Sequence, residues 1–300
     1  IAGPVLWVTQ IRFSQFSRLA VPSWSVAFRA TCSLFPLFLF PSLSVSSERR
    51  IMGSPNALYE LRPITGLFGR TVHGVDLQSD LSAGTIQQIM NDAHEHRLLV
   101  FPGQGQISGE RQVEISRWFG EVESTFYKHP KSPHPDIFRV SNDESEGCTG
   151  VGRTGWHIDG TFLPHPFKIQ TMHFWSVSEG GNTAFSPLEE LIASLPEDTR
   201  REWDRLWFVT KTDGVVHPLV YKHHVTGRPT LAFHCGAPFV RGFARDYDPR
   251  TGTASSLFTA AETREFLDNL AALLEAPERM YQHRWDQGDF AIIDNLAVAH

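Results

Sequence analysis

The stretch "GWHIDG" (155–160) sets an imidazole and a carboxylate one residue apart between two glycines. In extended chain, residues i and i+2 project to the same face, so His157 and Asp159 can reach one ion together. They make two ligands. A distant second histidine would complete a two-histidine, one-carboxylate set, the arrangement that holds Fe(II) and leaves positions open for oxygen and a chelating co-substrate. Taken alone, His-x-Asp is also the pattern of a surface histidine beside a capping aspartate.

Outward from this stretch the chain reads as short strands with a few helices. "LYELRPI" (58–64) alternates like a strand, "LLVFPG" (98–103) is a buried apolar run ended by Pro-Gly, and "DIFRVSN" (136–142) and "KIQTMHFWSV" (168–177) are further strands. "TLAFH" (230–234) and "DFAIID" (289–294) continue the series. Helices are expected over 82–97, with Ile86, Ile89, Met90 and Ala93 on one face, and over 108–120, capped by Ser108 and stopped at Gly120. Two more carry capping boxes: 186–196 (Ser186 to Glu189, with Pro187 at the first helical position) and 259–276 (Thr259 to Glu262). The pattern predicts a mainly β fold with helical decoration (α+β), a sandwich or barrel.

The 300 residues suffice for a proper core, and their composition is that of an ordinary globular protein. Cys32, Cys148 and Cys235 lie far apart and are odd in number, so neither a disulfide scaffold nor a cysteine zinc site is indicated. Residues 1–51 carry five arginines and Glu48 as their one acid, so the remainder holds −10 of the net −6. An acidic body argues against a general nucleic-acid binder. The apolar run 33–47 is short and broken by Pro36 and Pro41, unfit to cross a membrane. Residues 1–51 are therefore read as a leader or upstream segment outside the fold. The protein is expected in the cytoplasm if translation starts at Met52, or in an organelle if the acid-poor, Arg- and Ser-bearing segment is a transit peptide. Residues 52–300 are read as one domain.

Seven segments in order give a further reading. "RPITGLFGRTVHGVDLQSDLS" (62–82), "HRLLVFPGQ" (96–104), "RWFGEVE" (117–123), "WHIDGTF" (156–162), "GGNTAF" (180–185), "HPLV" with "HVTGRPTL" (217–231) and "WDQGDFAIIDNLAVAH" (285–300) resemble the taurine dioxygenase/TfdA group of Fe(II)- and 2-oxoglutarate-dependent dioxygenases. The resemblance implies a double-stranded β-helix (jelly roll), with His157, Asp159 and His300 as iron ligands, Thr183 on the 2-oxoglutarate carboxylate, and Asp294 and Asn295 shaping the turn that presents His300. It implies a reaction in which O2 converts 2-oxoglutarate to succinate and CO2 while a substrate C–H bond is hydroxylated. Trp156 is read as packing. His217 stands at a family position, while His173, His223, His224 and His234 read as surface or satisfied core groups. Val225, Ile293 and Leu296 depart from the family pattern without removing a ligand.

The register brings Thr125 and Lys128, with His129 next, to the places of the taurine enzymes' substrate-binding His and Tyr. Taurine is thus expected to be a poor substrate. Lys128 and His129 become the candidate contacts for another small, anionic molecule. The alternatives are a non-catalytic binding protein that keeps the β-helix, and a metal hydrolase, which would want further His or Asp near 155–162. Neither nucleic acid nor membrane is expected as a partner, and the chain is compatible with a homo-oligomer. In the family, an Arg binding 2-oxoglutarate lies beyond the distal histidine, whereas Arg241 and Arg245 precede it here. The expectation is therefore a chain cut at both ends, its C-terminal closing strands missing and a sheet edge exposed.

Overall fold

A computed structural model describes residues 5–12, 58–123, 128–150 and 154–300. In chain order the elements begin with β1 (Val5–Ile11), β2 (Glu60–Pro63), β3 (Arg70–His73), α1 (Ala83–His96), β4 (Leu98–Phe101), α2 (Gly109–Arg117), β5 (Val122–Glu123) and β6 (Phe138–Ser141). They continue with β7 (Ile169–Ser176), β8 (Thr183–Pro187), α3 (Leu188–Ser194), α4 (Glu197–Trp203), β9 (Leu206–Thr210), β10 (Val216–Pro218), β11 (Val220–Lys222) and β12 (Pro229–Leu231). The last are β13 (Val240–Arg245), β14 (Ser256–Leu257), α5 (Ala260–Leu274), β15 (Tyr281–His283), β16 (Phe290–Asp294) and β17 (Val298–Ala299).

The largest sheet runs β2-β3-β4-β16-β7-β1-β5, with β6 also paired to β1. Between its described strands, the one parallel pairing is β3 with β4. A small sheet, β15-β8-β17, packs over it through Val8, Leu98, Val100, Phe174, Phe185, Trp285, Ile293 and Val298. Each fully buried side chain of this size contributes about 1.5–3 kcal/mol. Helices α1 and α2 cover the sheet's outer face through Ile89, Ala93, Ile115, Phe101 and Phe290. A third layer, β10-β9-β13-β14 with α3, α4 and α5, has its own core around Phe208, Phe233, Leu270 and Leu274. No helix among the described residues is long and apolar enough to cross a membrane.

The helix boundaries follow their caps in three of four cases. Ser82, Ser108 and Thr259 each accept a backbone N–H of the first turn, and the Thr259–Glu262 box is closed on both sides. The fourth does not form. Ser186 and Pro187 remain in β8, where they pair with Ala299 and Val298, and α3 starts at Leu188 without a side-chain cap. Strand pairing at a buried position outweighs a cap worth about 1 kcal/mol.

The larger correction concerns the N-terminus. The sequence reading places residues 1–51 outside the fold, yet Val5–Ile11 is a largely buried strand inside the main sheet, antiparallel to both β7 and β6. "VLWVTQI" has the β-branched, apolar character of a sheet-interior strand. The acid-poor composition of the longer segment masked it. In the main sheet this strand lies between β7 and β5. Residues 13–51 lie outside the described residues.

Candidate active site

The site is assembled by backbone pairing before any side chain acts. His157 and His300 exchange two hydrogen bonds, each N–H donating to the other's carbonyl at 3.1 Å. This is the reciprocal pairing of residues directly opposite in an antiparallel ladder. On its other side His157 bridges His234. Ile158 is fully buried in the third-layer core, so His157 and Asp159 share the opposite face, as alternation requires. Gly160 then turns the chain at φ +83°, where a Cβ would come within 2.7 Å of the Phe167 nitrogen. Only glycine fits this turn.

Asn295, fully buried, fixes Asp159 from both sides of its backbone. Its Oδ1 accepts the Asp159 N–H at 2.8 Å, and its Nδ2 donates to the Asp159 and Phe167 carbonyls at 3.0 and 2.7 Å. The ligand-competent atoms of His157, Asp159 and His300 lie within 4.8 Å of one another. His157 Nε2 is 3.2 Å from Asp159 Oδ1, and His300 Nε2 is 3.8 Å from Asp159 Oδ2. The Nδ1–H of His157 donates to the Gly155 carbonyl at 2.7 Å. That bond fixes the tautomer and frees the Nε2 lone pair, as metal ligation needs. His300 Nδ1 is buried without a partner. The donor set, two imidazole nitrogens and one carboxylate, fits Fe(II).

Electrostatics favour the charged carboxylate. Burial pushes the Asp159 acid upward, but hydrogen bonds and charge from His157, with His300 and Gln170, outweigh it and hold its pKa well below the usual range. Burial lowers the His157 pKa, and Asp159 reverses this to a net rise. His300 is pushed down to about 4, chiefly by burial, so it is neutral near pH 7 with a lone pair to give.

Several neighbours escaped the sequence reading. Asp159 Oδ2 accepts N–H bonds from Gln170 and, at 3.2 Å, from Gln10. The His234 ring stacks on His157 at 4.5 Å, and Phe239 covers its other face at 4.2 Å. Its Nδ1 accepts the Gly236 N–H, and burial holds its pKa down at about 3. These contacts join residues far apart in sequence, and no local spacing signals them. The packing role of Trp156 holds: its indole N–H donates to Glu275 from the third-layer core. His217 is a buried core group bonded to the Thr161 carbonyl.

Thr183 stands on β8 two residues before Phe185, whose ring lies 6.4 Å from that of His300. The two side chains share a face. Thr183 Oγ1 accepts the Trp285 indole N–H at 2.8 Å, which leaves its own O–H to donate elsewhere. Lys128, exposed, and His129, half-buried, are loop residues: Lys128 donates to the Pro135 carbonyl at 2.7 Å and His129 Nε2 bonds to that of Glu144 at 3.0 Å. Thr125 lies outside the described residues. A cavity of about 400 Å³ is lined by Arg70, Arg97, Arg228, Glu95, Glu189 and Glu190. Arg97 and Arg228 pair there with Glu190 and Glu189, so it holds an ion-pair network and none of the triad. A second compact set, His94, His223 and Asp294, has the same residue types as the triad.

Comparison with known proteins places the chain in a family. The family described as taurine catabolism dioxygenase TauD, TfdA family matches residues 60–300. An alpha-ketoglutarate-dependent sulfate ester dioxygenase of Pseudomonas putida is 23% identical, over 85% of this chain and 87% of its own length. The (S)-phenoxypropionate/alpha-ketoglutarate-dioxygenase of Sphingobium herbicidovorans is 27% identical, over 81% and 88%. Among solved structures, a taurine dioxygenase from Burkholderia xenovorans superposes with a TM-score of 0.63 at 26% identity, covering 80% of this chain and 82% of that one. The mainly β architecture is therefore the jelly roll of these dioxygenases.

Proposed function

The chain belongs to the taurine catabolism dioxygenase TauD, TfdA family, and from that premise we propose that His157, Asp159 and His300 hold its iron and that Thr183 meets its co-substrate. The protein is an Fe(II)- and 2-oxoglutarate-dependent dioxygenase, an oxidoreductase consuming O2 and acting on a small molecule. Bound Fe(II) supplies the redox chemistry that couples decarboxylation of 2-oxoglutarate, to succinate and CO2, with hydroxylation of a substrate C–H bond.

The observation that carries the site assignment is the paired delivery of His157 and His300 on opposed backbone segments, with Asp159 between their Nε2 atoms. The chain's residues orient and exclude. Asn295 and Gly160 set the Asp159 backbone, and the His234–Phe239 stack shields one face of His157. Thr183, whose Oγ1 accepts the Trp285 N–H, has an O–H to offer a 2-oxoglutarate carboxylate.

The substrate class is a small anionic organic molecule. The sulfate esters and phenoxypropionate in the relatives' names are anions of this kind. Lys128 and His129, which bond to the Pro135 and Glu144 carbonyls, are the candidate contacts for such a group. The decisive experiment is anaerobic titration of the protein with Fe(II) and 2-oxoglutarate, read as the weak charge-transfer band of the ternary complex, followed by a succinate assay in air. Asp159→Ala should abolish both signals. A wild-type protein that gives the band but no succinate would be a binding protein, and an unchanged Asp159→Ala would remove the triad assignment.

A further inference from the structure

We propose that Gln170 is a positioning residue for the carboxylate ligand: with Gln10 it occupies Asp159 Oδ2, so that Oδ1 alone is offered to the metal. The proposal rests on the iron-site reading above.

Gln170 and Gln10 are opposite residues on the adjacent antiparallel strands β7 and β1. Cross-strand partners project to the same face, and both carboxamides reach the same oxygen, Asp159 Oδ2. A carboxylate oxygen has about two lone-pair directions, and two N–H donors fill them. Oδ1 receives neither amide and faces His157 Nε2 at 3.2 Å. Only the Nε2 side of each amide can face the carboxylate, since its Oε1 would meet another acceptor.

The setting of Gln170 points the same way. Its side chain is fully buried, and its Oε1 has no partner. A carboxamide taken out of water with one end unpaired is costly. A residue chosen for packing alone would be apolar, as Met172 and Phe174 on the same face of β7 are. Among the described residues, the one hydrogen bond the Gln170 side chain makes is to the ligand carboxylate.

The consequence is a matter of counting. Three protein ligands, each giving one atom, leave three positions of an octahedral ion open, enough for a chelating co-substrate and oxygen. A carboxylate giving both oxygens would remove one of them. Asn295 fixes where Asp159 starts, and the two glutamines fix how its carboxylate is rotated. Partners of this outer kind typically alter metal affinity 10–100-fold when removed.

Co(II) is a suitable probe, because its absorption bands report coordination number. Wild type, Asp159→Ala, Gln170→Leu and Gln10→Leu are titrated with Co(II) alone, and each is checked by thermal unfolding. Gln170→Leu should bind Co(II) about 10–100-fold more weakly and shift the band shape, while staying folded. Gln10→Leu should move affinity and spectrum in the same direction. If Asp159→Ala loses the ion while both leucine variants keep wild-type affinity and spectrum, the proposal is overturned and the site reading stands. If Asp159→Ala binds like wild type, the site reading falls and the proposal with it. Should Gln170→Leu not fold, Gln10→Leu decides alone, and wild-type binding by it refutes the proposal.

Discussion

Asn295→Ala isolates the contribution of a residue that holds the site without belonging to it. The substitution removes three hydrogen bonds, one accepted from Asp159 N–H and two donated to the Asp159 and Phe167 carbonyls. The Asp159 carbonyl keeps a second partner, the Phe167 N–H at 3.2 Å. Two buried groups, the Asp159 N–H and the Phe167 carbonyl, therefore lose their amide partner. Each such loss costs about 1–3 kcal/mol. Water entering the space left by the amide recovers part of this, so the net is about 2–4 kcal/mol. For a chain this size that lowers Tm by at least about 4 °C. The Asp159 backbone then no longer holds one position, and Mn(II) affinity should fall about 10-fold or more. The assays are differential scanning fluorimetry of the metal-free protein and equilibrium Mn(II) titration. A Tm within about 2 °C of wild type together with unchanged Mn(II) affinity would refute the reasoning, since it would mean the clamp orders nothing.

Three further outcomes are expected. If Thr183 holds 2-oxoglutarate as proposed, Thr183→Val removes a bond to a charged group, worth roughly 1.5–3 kcal/mol, and should raise the apparent 2-oxoglutarate Kd about 10- to 150-fold; Thr183→Ser should restore it, and equal affinity in wild type and Val would make Thr183 a partner of Trp285 only. Gly160→Ala forces a Cβ against the Phe167 backbone at a left-handed φ and should cost at least about 1 kcal/mol, visible as a lower urea midpoint; an unchanged midpoint counts against the strained turn. Acid should destabilise the metal-free protein between pH 6.5 and about 4. Burial depresses His283 and His224 to about 4, so the unfolded chain takes up protons first as pH falls. The stability is complete above pH 6.5 and is lost toward pH 4, at up to about 3 kcal/mol for the buried His283. Tm measured against pH should fall through that window, and a flat profile would exclude the coupling.

What the sequence disclosed was local periodicity and motif order. The alternation of His157, Ile158 and Asp159 was readable because it needs only two residues' spacing, and the structure keeps it although the segment is a bridge and a turn rather than a regular strand. The Thr259 cap was readable because a capping box closes within four residues. Ser186 shows the limit: the same local pattern is present, but its pairing partner Ala299 lies more than a hundred residues away and decides the outcome. Val5–Ile11 shows a second limit. Composition averaged over residues 1–51 hid a seven-residue strand whose β6 and β7 partners lie far along the chain. Gln10 and Gln170 meet only through that pairing, so their shared hold on Asp159 could not be read from either neighbourhood.

Residue type does not decide which cluster binds metal. The sets His157–Asp159–His300 and His94–Asp294–His223 have the same composition and comparable compactness. What separates them is the second nitrogen of one histidine in each. His157 Nδ1 faces a carbonyl and must carry the proton, which turns a lone pair at Nε2 toward Asp159. His223 Nδ1 faces the Val225 and Thr226 N–H groups at 3.2 Å and must accept, which puts the proton on Nε2. That N–H points at Asp294 from 3.1 Å and is a donor rather than a ligand. Asp294 is then a carboxylate held by its neighbours. Burial raises its pKa, and the bonds from His223 and His94 reverse the sign. Its Oδ1 also accepts the Leu296 N–H, so the network ties α1 and the 223–226 turn to the start of the loop that carries His300. A turn of backbone around each imidazole thus leaves a lone pair facing Asp159 in the set proposed to hold iron, and makes the other set a brace for the segment that carries His300.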